Sequence, residues 1–141
     1  MSHQPRTLIC FDFGTKRIGV AVGQELTHTA NALETINNIN NKPDWDAINR
    51  IVVEWQPNAF VIGLPLNLDG TEHQLAGRVH NFANHLRERF KLPVYLMDER
   101  LSSVEAERII APGKKSIKQN KQTIDKIAAE LILRSWLEQN K

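Results

Sequence analysis

Thr7-Leu8-Ile9-Cys10-Phe11-Asp12-Phe13-Gly14-Thr15-Lys16-Arg17-Ile18-Gly19-Val20-Ala21-Val22-Gly23 is the stretch that decides the architecture. Two apolar runs, 7–13 and 18–23, flank a tight Gly14-Thr15-Lys16-Arg17 connection, the pattern of an antiparallel hairpin. Alternation along the first strand puts Leu8, Cys10 and Asp12 on one face and Ile9, Phe11 and Phe13 on the other. One face therefore ends in a carboxylate. A carboxylate among apolar neighbours is costly unless something cationic pairs with it.

Working outward, Ala32–Ile36 suits a third strand and 37–43, rich in Asn and closed by Pro43, a loop. Asp44 caps a helix whose Ile48, Ile51, Val52 and Trp55 share one face, and Pro57 ends it. Ala59-Phe60-Val61-Ile62-Gly63 is wholly apolar, as expected of a strand covered on both faces. After a loop at 64–70, Leu75, Val79, Phe82 and Leu86 mark the buried side of a second helix. Val94–Met97 is another strand. Ser102-Ser103-Val104-Glu105 matches a capping box and opens a helix that stops before Pro112. A basic loop at 112–121 precedes a long helix from about 123 to 139. A hairpin with a third strand, then helices alternating with apolar strands, predicts an α/β domain: a mixed sheet with helices on its faces. The turn-rich segments 37–43 and 112–121 are the expected mobile places.

The chain has 141 residues, 41% hydrophobic and 24% charged. That fits a single domain, 1–141, with a real core. Its one cysteine, Cys10, lies in an apolar run. This excludes a disulfide framework or thiolate cluster and suits a reducing compartment, so a cytoplasmic location is expected. No stretch is long enough for a signal peptide core or a membrane span. The net charge is only +2, yet Lys114, Lys115, Lys118 and Lys121 fall in a stretch with no acid. A solvated loop is the simple reading of such a run.

Three acids stand out. Asp12 ends the first strand, although Asp before Phe13-Gly14 could simply cap a turn. Asp98 and Glu99 follow the 94–97 strand and point to opposite faces if it persists, so only one easily joins Asp12; Glu99 is the choice. Asp125 shares a helix face with Ala128, Ala129, Ile132 and Trp136, and the two alanines are small enough to let the helix approach a sheet closely. If Asp12, Glu99 and Asp125 converge, an all-oxygen set without histidine or thiolate selects a hard cation, Mg²⁺ or Mn²⁺. A pair of such ions can activate water and stabilise a leaving oxygen, which is chemistry that cuts phosphodiesters. Lys16, Arg17 and Arg100 lie beside the first two acids, and the basic loop leads into the third. These cations could steer a phosphate backbone or pair with acids.

The other polar residues look structural. His3, His28, His73, His80 and His85 show no paired ligand spacing. Trp45, Trp55 and Trp136 sit on helices and suit core filling. Ser102 and Ser103 have no base beside them.

Four motifs in order are familiar together: Phe11-Asp12-Phe13-Gly14-Thr15-Lys16-Arg17-Ile18-Gly19-Val20-Ala21, Val61-Ile62-Gly63-Leu64-Pro65, Asp98-Glu99-Arg100-Leu101-Ser102-Ser103 and Asp125-Lys126-Ile127-Ala128-Ala129. Over nearly its whole length the chain resembles the YqgF family, also called RuvX, a bacterial branch of the ribonuclease H-like superfamily. The resemblance implies a five-stranded mixed sheet with its first three strands antiparallel, helices on both faces and a metal-dependent nuclease site. It implies Asp12, Glu99 and Asp125 as catalytic metal ligands, with Lys16, Arg17 and Arg100 as basic positions. Many superfamily members use four acids, and Asp98 or Asp69 is the candidate for a fourth. The family is associated with maturation of the 16S rRNA 5′ end on the pre-ribosomal particle. Two alternatives stand beside that function: Holliday junction resolution on branched DNA, and a non-catalytic RNA-binding role in ribosome assembly. A monomer or weak dimer is expected.

Overall fold

The 7–13 and 18–23 runs form the hairpin that their pattern requires. The protein is described here by a computed structural model covering residues 4–64, 74–98 and 117–140, with side chains in the last stretch described from Thr123. Strands β1 (Thr7–Phe13), β2 (Arg17–Gln24) and β3 (Thr29–Asn37) pair antiparallel in succession. Helix α1 (Trp45–Trp55) leads to β4 (Ala59–Leu64), and α2 (Ala76–Phe90) to β5 (Val94–Asp98). Both later strands run parallel, β4 beside β1 and β5 beside β4, giving the order β3-β2-β1-β4-β5. Helix α3 (Ile117–Gln139) closes the described chain.

The two faces of β1 lead to two cores. Ile9, Phe11 and Phe13 pack with Ile48 and Ile51 of α1 and with Val79, Phe82 and Leu86 of α2. Leu8 and Cys10 pack with Ala129, Ile132, Leu133 and Trp136 of α3. Helices thus cover both faces, as expected for a sheet whose central strands are apolar throughout. Phe11, Phe60 and Ile62 are fully buried. Trp136 is buried, and Trp45 and Trp55 pack partly buried against the first core, so all three tryptophans fill the interior.

Local signals set most boundaries. Asp44 accepts from the Ala47 amide at 3.2 Å and starts α1, whose end is Gln56 in the left-handed region, one residue before Pro57. Strand β3 is longer than Ala32–Ile36, because pairing with β2 recruits the polar residues at both ends. One boundary needs correction. The last helix begins at Ile117 and not near Thr123, so Lys118 and Lys121 belong to a helix and not to a basic loop. Lys and Gln are good helix formers, and no Gly or Pro interrupts the stretch after Gly113. The expected 102–111 helix and the rest of the basic loop lie outside the described residues.

The 37–43 segment is well tied down. Asn38 donates its side-chain amide to the carbonyls of Gly14 and Thr15 at 2.9 and 3.0 Å, and its backbone amide to Lys16 at 2.9 Å. Ile39 and Lys42 form an isolated bridge across Asn40 and Asn41, both at positive φ (53° and 61°), which asparagine tolerates. At the opposite end of the sheet, Arg6 donates to Glu25 at 3.1 Å and to the Tyr95 hydroxyl at 2.9 Å. Its guanidinium lies over the rings of Tyr95 and Trp136. The hydrogen bonds that Arg6 donates to Glu25 hold the Arg6 pKa above its ordinary value against the opposing effect of burial.

Candidate functional site

Asp12 lies at the exit of β1 on the α3 face and is half-buried. In the ladder it stands directly opposite Gly19 of β2, and opposed residues share a face. At Gly19 the backbone of α3 comes directly against the sheet. A Cβ at this position would fall inside the backbone of Asp125 and Lys126. Asp12 and Asp125 are therefore neighbours around one glycine, brought there by strand register and by the close seating of α3. Ala128 and Ala129, 1% and 0% exposed, continue that contact, as their small size predicts.

Arg17 opens β2 and turns to the same place. Its Nε donates to Oδ2 of Asp125 at 2.7 Å, with both side chains about a quarter exposed. A charge-assisted bond of this length holds the carboxylate in a fixed orientation. Lys16, one residue earlier, is exposed.

Strand alternation also sorts the acids at 98 and 99. Leu96 packs towards α1 and α2, while Tyr95 and Met97 pack towards α3. Asp98 thus falls on the face opposite Asp12 and does not join it. Glu99, Arg100, Lys114, Lys115 and Asp69 lie outside the described residues, as do the side chains of Lys118 and Lys121. Among the described residues, no three His, Cys, Asp or Glu side chains gather to hold a metal ion. The described donors are two carboxylates, a set that suits a hard cation such as Mg²⁺, which is commonly held by one or two carboxylates completed by substrate oxygens and water.

A cleft of about 540 Å³ opens beside these acids, with Asp125 and Arg17 on one wall. It passes over the Gly14–Arg17 turn, past Lys16, to Gln74 and Arg78 at the start of α2. The cleft therefore reaches from the α3 side of the sheet to the α2 side. Asp12 is not on its wall.

Three of these positions were not singled out from the sequence. Gly19 looked like any small strand residue. Asn38 looked like loop composition, yet it clamps the turn that carries Lys16 and Arg17. Arg78 carried a usable signal: it sits in the first turn of α2, which contains no acid, where the helix dipole disfavours a cation.

The chain is similar to known proteins along nearly all of its length. A family model described as RuvX, Holliday junction resolvase, matches residues 6–139. A protein of Saccharophagus degradans, provisionally named a pre-16S rRNA nuclease, is 48% identical over 136 residues, covering 96% of this chain and 95% of its own. A protein of Actinobacillus pleuropneumoniae with the same provisional name is 50% identical over 135 residues, covering 94% and 97%. Among solved structures, the fowlpox virus resolvase in complex with Holliday junction DNA matches with a TM-score of 0.59 at 10% identity, over 95% of this chain and 98% of that one. Thermus thermophilus RuvC with a Holliday junction substrate matches at 0.55 and 13% identity, over 95% and 94%. At such identities the two structures speak for the fold alone.

Proposed function

Since this chain belongs to the RuvX family, we propose that it is a metal-dependent endonuclease that processes the 5′ end of precursor 16S rRNA during ribosome maturation. The observation that carries this reading is the meeting of Asp12 and Asp125 around Gly19, at the edge of a cleft lined by cations. Glu99 is the third acid of the proposal, since alternation carried one residue past Asp98 returns to the face of Asp12. Asp12, Glu99 and Asp125 would hold Mg²⁺ or Mn²⁺, which when bound supplies water activation and stabilisation of the leaving oxygen. Arg17 neutralises and orients Asp125, and Lys16 stands where a phosphate backbone would enter. Arg100, Lys114, Lys115, Lys118 and Lys121 are proposed as further backbone contacts. With few protein ligands, the site gains its full ligand set when substrate oxygens join it. The working partner is the pre-ribosomal particle, and the place of work the cytoplasm.

The test is cleavage of the protein's own pre-ribosomal particles with Mg²⁺ or Mn²⁺. Asp12→Asn, which keeps size and fold, is expected to abolish it; undiminished cleavage by that variant refutes the assignment.

Branched DNA is the second reading, favoured by the description of the matching family model. Symmetric resolution of a four-way junction needs two active sites and hence a dimer, whereas rRNA trimming can proceed on a monomer. Competition between precursor rRNA and junction DNA at one ionic strength separates the two, because contacts to phosphates alone do not discriminate between them. Calorimetry that finds no metal binding, with or without RNA, would favour a non-catalytic assembly role instead.

A further inference from the structure

The cleft does not stop at the carboxylates. It continues over the β1–β2 turn to Arg78 in the first turn of α2. Arg78 is exposed, and it is nevertheless held in place. Its Nη2 donates to the Asn41 carbonyl at 2.6 Å, and its guanidinium lies 5.9 Å from the centre of the Phe13 ring. Both partners are neutral. Among the described residues no carboxylate pairs with Arg78 or with Lys16, both of which line the cleft, while Arg17 is already matched by Asp125.

We propose that Arg78, with Lys16, forms a second phosphodiester subsite, which grips the nucleic-acid backbone beside the scissile group on the far side of the β1–β2 turn from Asp125. This rests on the nuclease reading above and adds to it a path for the substrate. The backbone passes from the acids on the α3 side, over Lys16, to Arg78 on the α2 side. Several features of Arg78 fit that task. The guanidinium fork matches the geometry of a phosphate, and fixing it on Asn41 and Phe13 in advance reduces the freedom lost on binding. Asn38 holds the turn that carries Lys16, and the same loop supplies the Asn41 carbonyl to Arg78. One short asparagine-rich segment therefore sets the spacing of both cations. A contact of this kind reads the backbone and not the bases.

The test is equilibrium binding of a fluorescein-labelled RNA stem-loop, without divalent cation, across a series of salt concentrations. Arg78→Met keeps a stem to cover Phe13 and removes the charge. It is expected to weaken binding about fivefold near physiological salt and to reduce the salt slope by roughly 0.7–0.9, the value of one phosphate contact. Arg78→Lys is expected to recover most of both. Arg50→Ala removes a cation of α1 that is paired with Glu34 and does not line the cleft; it should change neither. Unchanged affinity and slope in Arg78→Met overturn the subsite, and so does an equal loss in Arg50→Ala, which would report only the overall charge. The outcome is separable from that for the activity. A weakened Arg78→Met beside a fully active Asp12→Asn would sink the assignment of the catalytic acids and leave the subsite standing. An unaffected Arg78→Met beside an inactive Asp12→Asn would do the reverse.

Discussion

Asp125 and Arg17 are the pair on which the chemistry of the site turns at the scale of single residues. The guanidinium occupies one carboxylate oxygen, at 2.7 Å, in a setting only about a quarter exposed. An incoming dication would compete for the same oxygen and repel the same guanidinium. The ion pair is partly solvated, so it contributes about 1 kcal/mol or less. Arg17→Ala should therefore lower the melting temperature by only a few degrees in the absence of metal. Added Mg²⁺ should then raise the melting temperature of Arg17→Ala more than that of the wild type, because the cation no longer displaces a partner. An equal or smaller rise in the variant would show that the two do not compete.

The seating of α3 on β2 is the decisive contact between elements. Gly19 leaves the space that the backbone at Asp125 and Lys126 fills, and Ala128 and Ala129 keep the helix close over the next turn. Adding one methyl group at position 19 meets backbone, which cannot rotate away as a side chain can. Gly19→Ala is expected to destabilise by about 1–3 kcal/mol, the usual range for overpacking. Its effect on cleavage should be larger than its effect on stability, because α3 must lift away from Asp12. Urea unfolding and cleavage under conditions where the variant is fully folded measure the two separately, and a variant that unfolds early yet cleaves normally would contradict this geometry.

Across the whole molecule, the site and the staple that ties the sheet to α3 sit at opposite ends. Arg6 joins the start of β1 to Glu25 after β2, to Tyr95 of β5 and to Trp136 of α3. These bonds are mostly shielded from water, so Arg6→Ala should cost about 2 kcal/mol by removing the guanidinium's bonds to Glu25 and Tyr95, while the residue 6 amide still donates to Glu25. The expected signature is a lower urea midpoint with an unchanged cleavage rate below the transition. A fall in rate without a fall in stability would mean that the far end of the sheet communicates with the site.

Much of this was legible in the chain itself. The 7–23 hairpin, the strands at 59–63 and 94–97, and the face shared by Asp125 and the alanines follow from alternation and helical spacing, which are local properties. The last helix starts at Ile117 and not near 123: a lysine run beside a glycine resembles a loop, although Lys and Gln favour helix. The same local signals single out Asp12 and Asp125, and alternation puts Asp98 on the opposite face from Asp12. Only the tertiary structure decided that Gly19 is the meeting point, that Arg17 bonds to Asp125, that Arg78 lines the cleft and that Asn38 clamps the turn forming part of its wall. Each of these depends on residues far apart in sequence being brought together by register and helix seating, and no periodicity within one segment encodes such a contact.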